Sequence, residues 1–382
     1  MTPNPPQRPQ QPKSQKQPSN PPQDSKDKIE NPWQLLWLLL HRLSLPVWAI
    51  LLLGIGFISL GVGGITNILV AFITANPVDK ISSVVPNSMQ QTIKSRFEDP
   101  PDPERTFQVE EAQIGKLSSD GSTSMIRMMR EVQAELKGKG LSIVYGSDNK
   151  TPSGSEGGKK RLKARDIQMA LLSEPLTEED KSQGLESIEI GKDGIAVVVH
   201  KDNPIKNLTI AQLRQIYTCK ITDWSTLGWS DSSSAQSPIG ITVLNRSNDS
   251  GTQRSFKDKV LGENEEFCPD TLSKREDGSS FKTWDKDETT VVLGKMGKYG
   301  IYFASLNHVI KDDHVKILEI EGMSPTAITI LDDTYSLTRD LYVAAQKKTN
   351  PEVLEFIKFI ISPDGQKIIN KYHVPIYRYL EK

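Results

Sequence analysis

The stretch Val47–Ile73 constrains this chain more than any other, because 27 consecutive residues carry no charge. A helix needs about 20 apolar residues to cross the hydrocarbon core of a bilayer. The run supplies Leu51, Leu52, Leu53, Ile55, Phe57, Ile58 and Leu60. Its glycines, among them Gly54, Gly56 and Gly61, are common in membrane helices. A buried core helix rarely runs so far without a charge. A signal peptide cleaved near Ala75 is the rival reading. Its apolar region would normally span about 7–15 residues near the N-terminus, whereas this run follows a long polar leader. No cysteine lies in or just after the run, which excludes lipid attachment there.

Charge sets the orientation. Arg8, Lys13, Lys16, Lys26, Lys28 and Arg42 precede the span, and only Lys80 and Lys94 follow it closely. The positive-inside bias places the N-terminus in the cytoplasm and the C-terminal 300 or so residues in a periplasm-like space. Residues 1–32 hold nine prolines and six glutamines. Such a segment buries too little apolar surface to offset its ordering entropy and is expected to be disordered. Trp33–Leu45 reads either as an interfacial helix or as an extension of the span, with Pro46 as the break. Proline-rich residues 76–105 read as a tether.

The remainder has an ordinary globular composition. Lys plus Arg is 47 and Asp plus Glu is 48, a net charge of −1 that argues against nucleic-acid binding. The five histidines, His41, His200, His308, His314 and His373, show no metal-ligand spacing. There is no Walker A signature and no GxSxG elbow, so neither nucleotide hydrolysis nor serine catalysis is indicated. No cofactor is implied.

Strand and helix patterns alternate. Strands are predicted at Phe107–Ile114, Leu141–Tyr145, Ile167–Leu172, Ile195–His200, Ile241–Asn245, Gly300–Ala304 and Leu341–Ala345. Helices are predicted at Ser122–Lys137, Gly157–Lys163, Thr209–Tyr217, Thr252–Val260, Pro351–Ile361 and Pro363–Tyr372. The apolar Ile195–His200 suits a strand buried on both faces. This alternation predicts an α/β protein with mainly parallel sheets, and its length predicts two lobes. The tryptophans Trp224, Trp229 and Trp284 read as core or hinge residues.

Three loops share one design, each rich in small or hydroxyl residues between a strand and a helix start. They are Asp120-Gly121-Ser122-Thr123-Ser124, Gly154-Ser155-Glu156-Gly157-Gly158 and Arg246-Ser247-Asn248-Asp249-Ser250-Gly251-Thr252. A helix N-terminus offers unpaired N–H groups and about half a positive charge. Small residues let an anion approach those groups, and hydroxyls add donors. Arg246 would contribute a planar, bidentate donor. Singly, such loops are usually helix caps. Three of them with an arginine point to one anion site at the carboxyl ends of the strands. Five or six hydrogen bonds to a charged ligand, at about 1.5–3 kcal/mol each, would cover the roughly 8 kcal/mol of micromolar binding after entropy losses.

From residue 105 onward the chain resembles the substrate-binding proteins of bacterial phosphate ABC transporters, of the type II periplasmic binding protein fold. The stretches that carry the resemblance are DGSTSM (120–125), the GS-x-GG loop (154–158), SEPLTEED (173–180) and NPIKNLTIAQLRQIYTCKITDW (203–224). LNRSNDSGT (244–252) and YSLTRDLYV (335–343) also match. The resemblance implies one lobe at 106–199 plus 336–382 and another at 200–335. The chain would cross between them near His200–Pro204 and return near Tyr335–Leu341. It implies that Thr123, Ser124, Ser155 and Ser173 meet the anion from the first lobe. Arg246, Ser250, Gly251 and Thr252 would grip it from the second. The lobes would close over the ligand. Inorganic phosphate or a related oxyanion is the implied ligand, and an ABC permease the implied partner.

The departures from the family concern selectivity. Phosphate-specific members use a carboxylate to accept the proton of monohydrogen phosphate. Ser173 stands at that place, with Glu174 beside it where many relatives carry Arg. Asn248 stands where an acidic residue often follows the binding Arg. Glu174 and Asp249 are the candidate replacements. The outer compartment permits a Cys219–Cys268 disulfide; two free thiols are the alternative. The same domain would also suit a phosphate sensor or adaptor, or a scaffold without a ligand.

Overall fold

A computed structural model describes residues 97–109, 115–146, 151–229, 239–271, 274–284 and 289–377. The chain divides into two units, Met1–Val62 and Gly63–Lys382, and every described residue belongs to the second. The expected tail at 1–32 and the expected interfacial segment and span at 33–75 lie outside the described residues. Among the described residues no helix is long and apolar enough to cross a membrane.

Most of the tether expected at 76–105 lies outside the described residues, and its last part, 97–105, is folded against the domain. The Glu98 amide donates to the Ile376 carbonyl at 2.8 Å, and Phe107 is buried in the core. Between them a single helical turn, Pro103–Thr106, is capped by Asp102. The strand expected at Phe107–Ile114 is described only as Gln108–Val109, since 110–114 lie outside the described residues.

Strand β1 (Leu117–Gly121) leads through a 3-10 turn (Thr123–Met125) into helix α1 (Ile126–Gly138). Then come β2 (Ile143–Tyr145), α2 (Gly154–Lys163), β3 (Met169–Leu172) and the long β4 (Leu185–His200). The chain continues with α3 (Ile210–Tyr217), β5 (Thr242–Arg246), α4 (Gly251–Phe256) and β6 (Ser280–Trp284). It ends with β7 (Gly300–Ser305), β8 (Val315–Ile317), β9 (Thr338–Gln346), α5 (Pro351–Ile361) and α6 (Pro363–Ile369).

Local chemistry explains these elements. In α1, Met128, Met129, Val132 and Leu136 recur at helical spacing and are all buried. Helix α3 starts at a capping box, where Thr209 accepts from the Gln212 amide and the Gln212 side chain accepts from Thr209. Pro351 opens α5, where its missing N–H costs nothing.

The strands run in the order β2-β1-β3-β9-β4-β7-β5-β6, with β8 also paired to β4. The β1–β2 and β1–β3 pairs are parallel, as are β5–β6 and β5–β7. The mainly parallel expectation holds within each group, while β9 and β4 run antiparallel to their partners.

Strand β4 is where the two lobes join. Its residues Leu185–Gly194 pair with β9, and Ile195–Val199 pair with β7. The change of partner therefore falls at Gly194–Ile195, upstream of the crossing expected near 200–204. The same strand feeds two cores. Ile188 and Ile190 join α1, α5 and α6 in the first. Ile195, Val197 and Val199 join Tyr217, Trp224, Phe256 and Phe303 in the second. There Phe256 and Phe303 stack with centroids 3.9 Å apart. Trp224 is fully buried in this core.

Cys219 and Cys268 form a disulfide across a separation of 49 residues. Arg275 lies against it, with one guanidinium nitrogen 3.2 Å from the Cys219 sulfur and another 3.0 Å from that of Cys268.

Candidate functional site

The first two loops are tied together by Asp120 at the carboxyl end of β1. Its fully buried carboxylate accepts from the Gly121 amide at 2.8 Å, the Ser153 amide at 2.9 Å and the Ser153 hydroxyl at 2.8 Å. Arg161 of α2 closes the cluster as a salt bridge. Gly121 must be glycine. Its φ is +133°, and a Cβ there would lie 2.1 Å from the Leu171 carbonyl oxygen.

A cluster of hydroxyls sits on this base. The Ser122 and Ser124 oxygens are 2.7 Å apart, and Ser122 donates to Ser173 at 3.0 Å. Ser173 lies 3.3 Å from the Ser155 hydroxyl, and its own amide donates to Ser155 at 3.2 Å. The Tyr145 hydroxyl donates to the Ser122 carbonyl and holds the turn from below. Thr123 is buried on the same turn.

The second lobe brings Arg246 from the end of β5. Its side chain is only 2% exposed. It donates through Nε to Ser250 at 3.0 Å, and through Nη1 to Thr289 at 3.0 Å and Tyr302 at 2.7 Å. Burial pulls the guanidinium down from its usual range, and Tyr302 acts in the opposite sense; arginine stays charged all the same. Nearby His308 is pushed down to about 3, by burial and then by the positive charges of Arg246 and Arg127. The neighbourhood thus disfavours a second cation.

Ser250 links the arginine to the first lobe. It caps α4 by accepting from the Gln253 amide. The next residue, Gly251, lies so close to the other lobe that a Cβ on it would stand 2.4 Å from Ser155 Oγ and 2.5 Å from Ser173 Oγ. Ser255 of α4 donates to the Ser173 carbonyl at 3.0 Å. Two polar groups therefore face each other across Gly251: Arg246 with Ser250 on one side, and Ser155, Ser173, Ser122 and Ser124 on the other. Thr252 joins them from the side, where its hydroxyl accepts from Arg339 Nη1 at 2.7 Å. Arg339 is in turn paired with Asp193, Nη2 to Oδ2 at 2.6 Å. That charge holds the Asp193 carboxyl well below its usual range against the penalty of burial.

All the residues singled out in the sequence are brought to this one boundary: Thr123, Ser124, Ser155 and Ser173 on one side, Arg246, Ser250, Gly251 and Thr252 on the other. Sequence reasoning missed the supports. Ser122 lies inside the first loop and differs in no way from its neighbours as sequence. Asp120 and Arg339 stand within DGSTSM and YSLTRDLYV, where nothing local marks their supporting role; Asp193 carries no pattern at all, and Tyr302 and Thr289 meet Arg246 only through the fold. The two candidate replacement carboxylates stand at the rim of the same boundary, Asp249 with its backbone against Gly154. Glu174 is engaged by Arg254 through both oxygens, at 2.6 and 2.7 Å. Asp249 is exposed.

Two lobes joined through strands that cross between them, with a guanidinium and hydroxyls meeting at their boundary, define a type II periplasmic binding protein. The chain belongs to the PBP superfamily, whose domain matches residues 108–364. It is 28% identical over 247 residues to the phosphate-binding protein PstS of Staphylococcus epidermidis, covering 57% of this chain and 68% of that one. It is 26% identical over 225 residues to PstS of Borreliella burgdorferi, covering 57% and 75%. Among solved structures it resembles a protein of Clostridium perfringens described as a phosphate ABC transporter substrate-binding protein with bound phosphate. That match has a TM-score of 0.58 and 30% identity, over 69% of this chain and all 100% of the other. An ABC-type phosphate transport receptor from Vibrio cholerae matches with a TM-score of 0.53 and 26% identity, over 68% and 99%.

Proposed function

We propose that this protein captures inorganic phosphate between its lobes outside the cytoplasm and delivers it to an ABC transporter permease. The observation that carries this reading is the approach, at Gly251, of the buried Arg246–Ser250 pair to the buried hydroxyls of Ser155, Ser173, Ser122 and Ser124. A tetrahedral oxyanion can accept from several converging donors at once, and a buried guanidinium supplies the charge. The Clostridium perfringens and Vibrio cholerae proteins, matched over nearly their whole length, are described as phosphate proteins of ABC transporters, which favours phosphate among oxyanions. The role is capture and release, with no chemical step.

The roles of individual residues follow from position. Arg246 neutralises and orients the anion. Ser250, Gly251 and Thr252 donate from the start of α4. Thr123, Ser124, Ser155 and Ser173 donate from the first lobe, with Ser173 at the place of the family's carboxylate. The uncharged run at 47–73 would hold the domain at the membrane, raising its local concentration beside the permease.

Calorimetry on the full chain tests the reading. Phosphate should bind with micromolar or tighter affinity, and Arg246→Ala should abolish binding. Unchanged affinity in that variant would dismiss the site. In cells, deletion should lower phosphate uptake when external phosphate is scarce, whereas a sensor would leave uptake intact.

A further inference from the structure

A second contact joins the lobes beside the proposed anion site. Arg254 projects from α4 and meets Glu174, which follows β3 directly after Ser173. The pair is bidentate, Nε to Oε2 at 2.6 Å and Nη2 to Oε1 at 2.7 Å. The remaining terminal nitrogen, Nη1, donates to the Asn248 carbonyl at 2.7 Å, inside the loop between Arg246 and Ser250. On the other side, Lys159 of α2 lies 3.2 Å from Glu174 Oε1 and 3.1 Å from Glu156. The Lys159 side chain is 7% exposed and that of Glu174 11%. The Arg254 side chain, at 26%, is the part of this network that salt can reach.

We infer that Glu174 and Arg254 form a latch that holds the two lobes together and thereby sets the affinity of the anion site without touching the anion. This rests on the reading of the protein as a lobe-closing oxyanion receptor. The geometry is specific to closure. Glu174 moves with β3 and Arg254 with α4, so the bidentate pair exists only while those elements are adjacent. Arg254 also grips the loop that carries Ser250, so making the pair fixes the second lobe's donors in place. Any group that favours the closed form over the open one raises the apparent affinity by the closed fraction it adds. Glu174 and Arg254 are positioning residues, and the three-nitrogen use of the guanidinium is one that lysine cannot copy.

The test uses the full chain with spin labels on Ala164→Cys in the first lobe and Lys259→Cys in the second. Both positions are exposed. The protein alone should give a short, narrow interlobe distance. Glu174→Gln and Arg254→Gln should each broaden it toward longer distances, and Arg254→Lys should fall between. Raising the salt should lengthen the distance in the parent and leave the Glu174→Gln variant unmoved, a response that a merely structural role would not produce. Phosphate affinity, measured by calorimetry, should fall by about tenfold in both Gln variants. Distances and affinity unchanged in both would overturn the latch. If the parent itself fails to bind phosphate, the functional reading fails, while the interlobe distances still decide whether the latch exists.

Discussion

Arg339 and Asp193 stand directly opposite one another on β9 and β4, the two strands at the crossing between the lobes, and the same guanidinium also donates to Thr252 at the start of α4. One side chain thus connects the hinge to a proposed anion donor. Both members of the pair are almost fully buried, at 2% exposure each. Removing one partner leaves an unpaired charge in the interior, which costs about 3–5 kcal/mol. Asp193→Asn should therefore lower the melting temperature strongly in a thermal scan. A variant melting like the parent would show that the pair is better solvated than its burial implies.

Gly251 gives a prediction that is read in binding first. Gly251→Ala would place a methyl group 2.4 Å from Ser155 Oγ and 2.5 Å from Ser173 Oγ, forcing both hydroxyls to turn away. The clash falls inside a buried, hydrogen-bonded cluster, with Ser155 Cβ also only 3.0 Å away, so melting should fall too, by the equivalent of about 1–3 kcal/mol of overpacking. Phosphate affinity should fall by about tenfold or more, the equivalent of losing one hydrogen bond to a charged group. Calorimetry and a thermal scan on the same sample separate the two effects.

Thr252→Val and Ser155→Ala remove single hydroxyls from opposite sides of the boundary. Each should weaken phosphate binding by roughly tenfold, at about 1.5–3 kcal/mol per bond to a charged partner. If Ser155→Ala alone is silent, the first lobe contributes through its backbone rather than its hydroxyls.

Glu189 on β4 predicts a pH dependence. Burial, then the nearby Asp340 carboxylate, raise its carboxyl to about 7, and Lys192 only partly offsets them. The unfolded chain holds this proton only below about pH 4.5. Between those values the folded form binds the extra proton. The stabilisation is complete below the unfolded value and is lost as pH rises through 7. Glu189→Gln should match the parent near pH 4.5 and melt at a higher temperature above pH 7. Parallel melting curves across that interval would contradict the assignment.

The Cys219–Cys268 bond closes a separation of 49 residues, for which the chain-entropy model gives about 4 kcal/mol. Reduction should lower the melting temperature by several degrees, and non-reducing mass spectrometry should find no free thiol in the parent.

The sequence made legible whatever depends on short-range pattern. The three hydroxyl-rich loops, the capping box at Thr209 and the apolar spacing of α1 are all local, and the predicted helices at 209–217 and 351–361 agree closely with the observed ones. The first half of β4 was not legible. Leu185–Gly194 carries Glu186, Glu189, Lys192 and Asp193 among its apolar residues, so only the uncharged Ile195–His200 stood out as a strand. The ion pairs at the boundary were hidden for a related reason. Glu174 and Arg254, or Asp193 and Arg339, are far apart in the chain, and only the register of β4 against β9 and the approach of α4 to β3 bring them together.

Residues 185–200 are a structural loan from each half to the other. They supply the strand beside β9 in one sheet and the strand between β7 and β8 in the other. A protein split at this point would leave one fragment with an open sheet edge seeking a replacement partner, so the halves cannot be separated by cleavage and rejoined like independent modules.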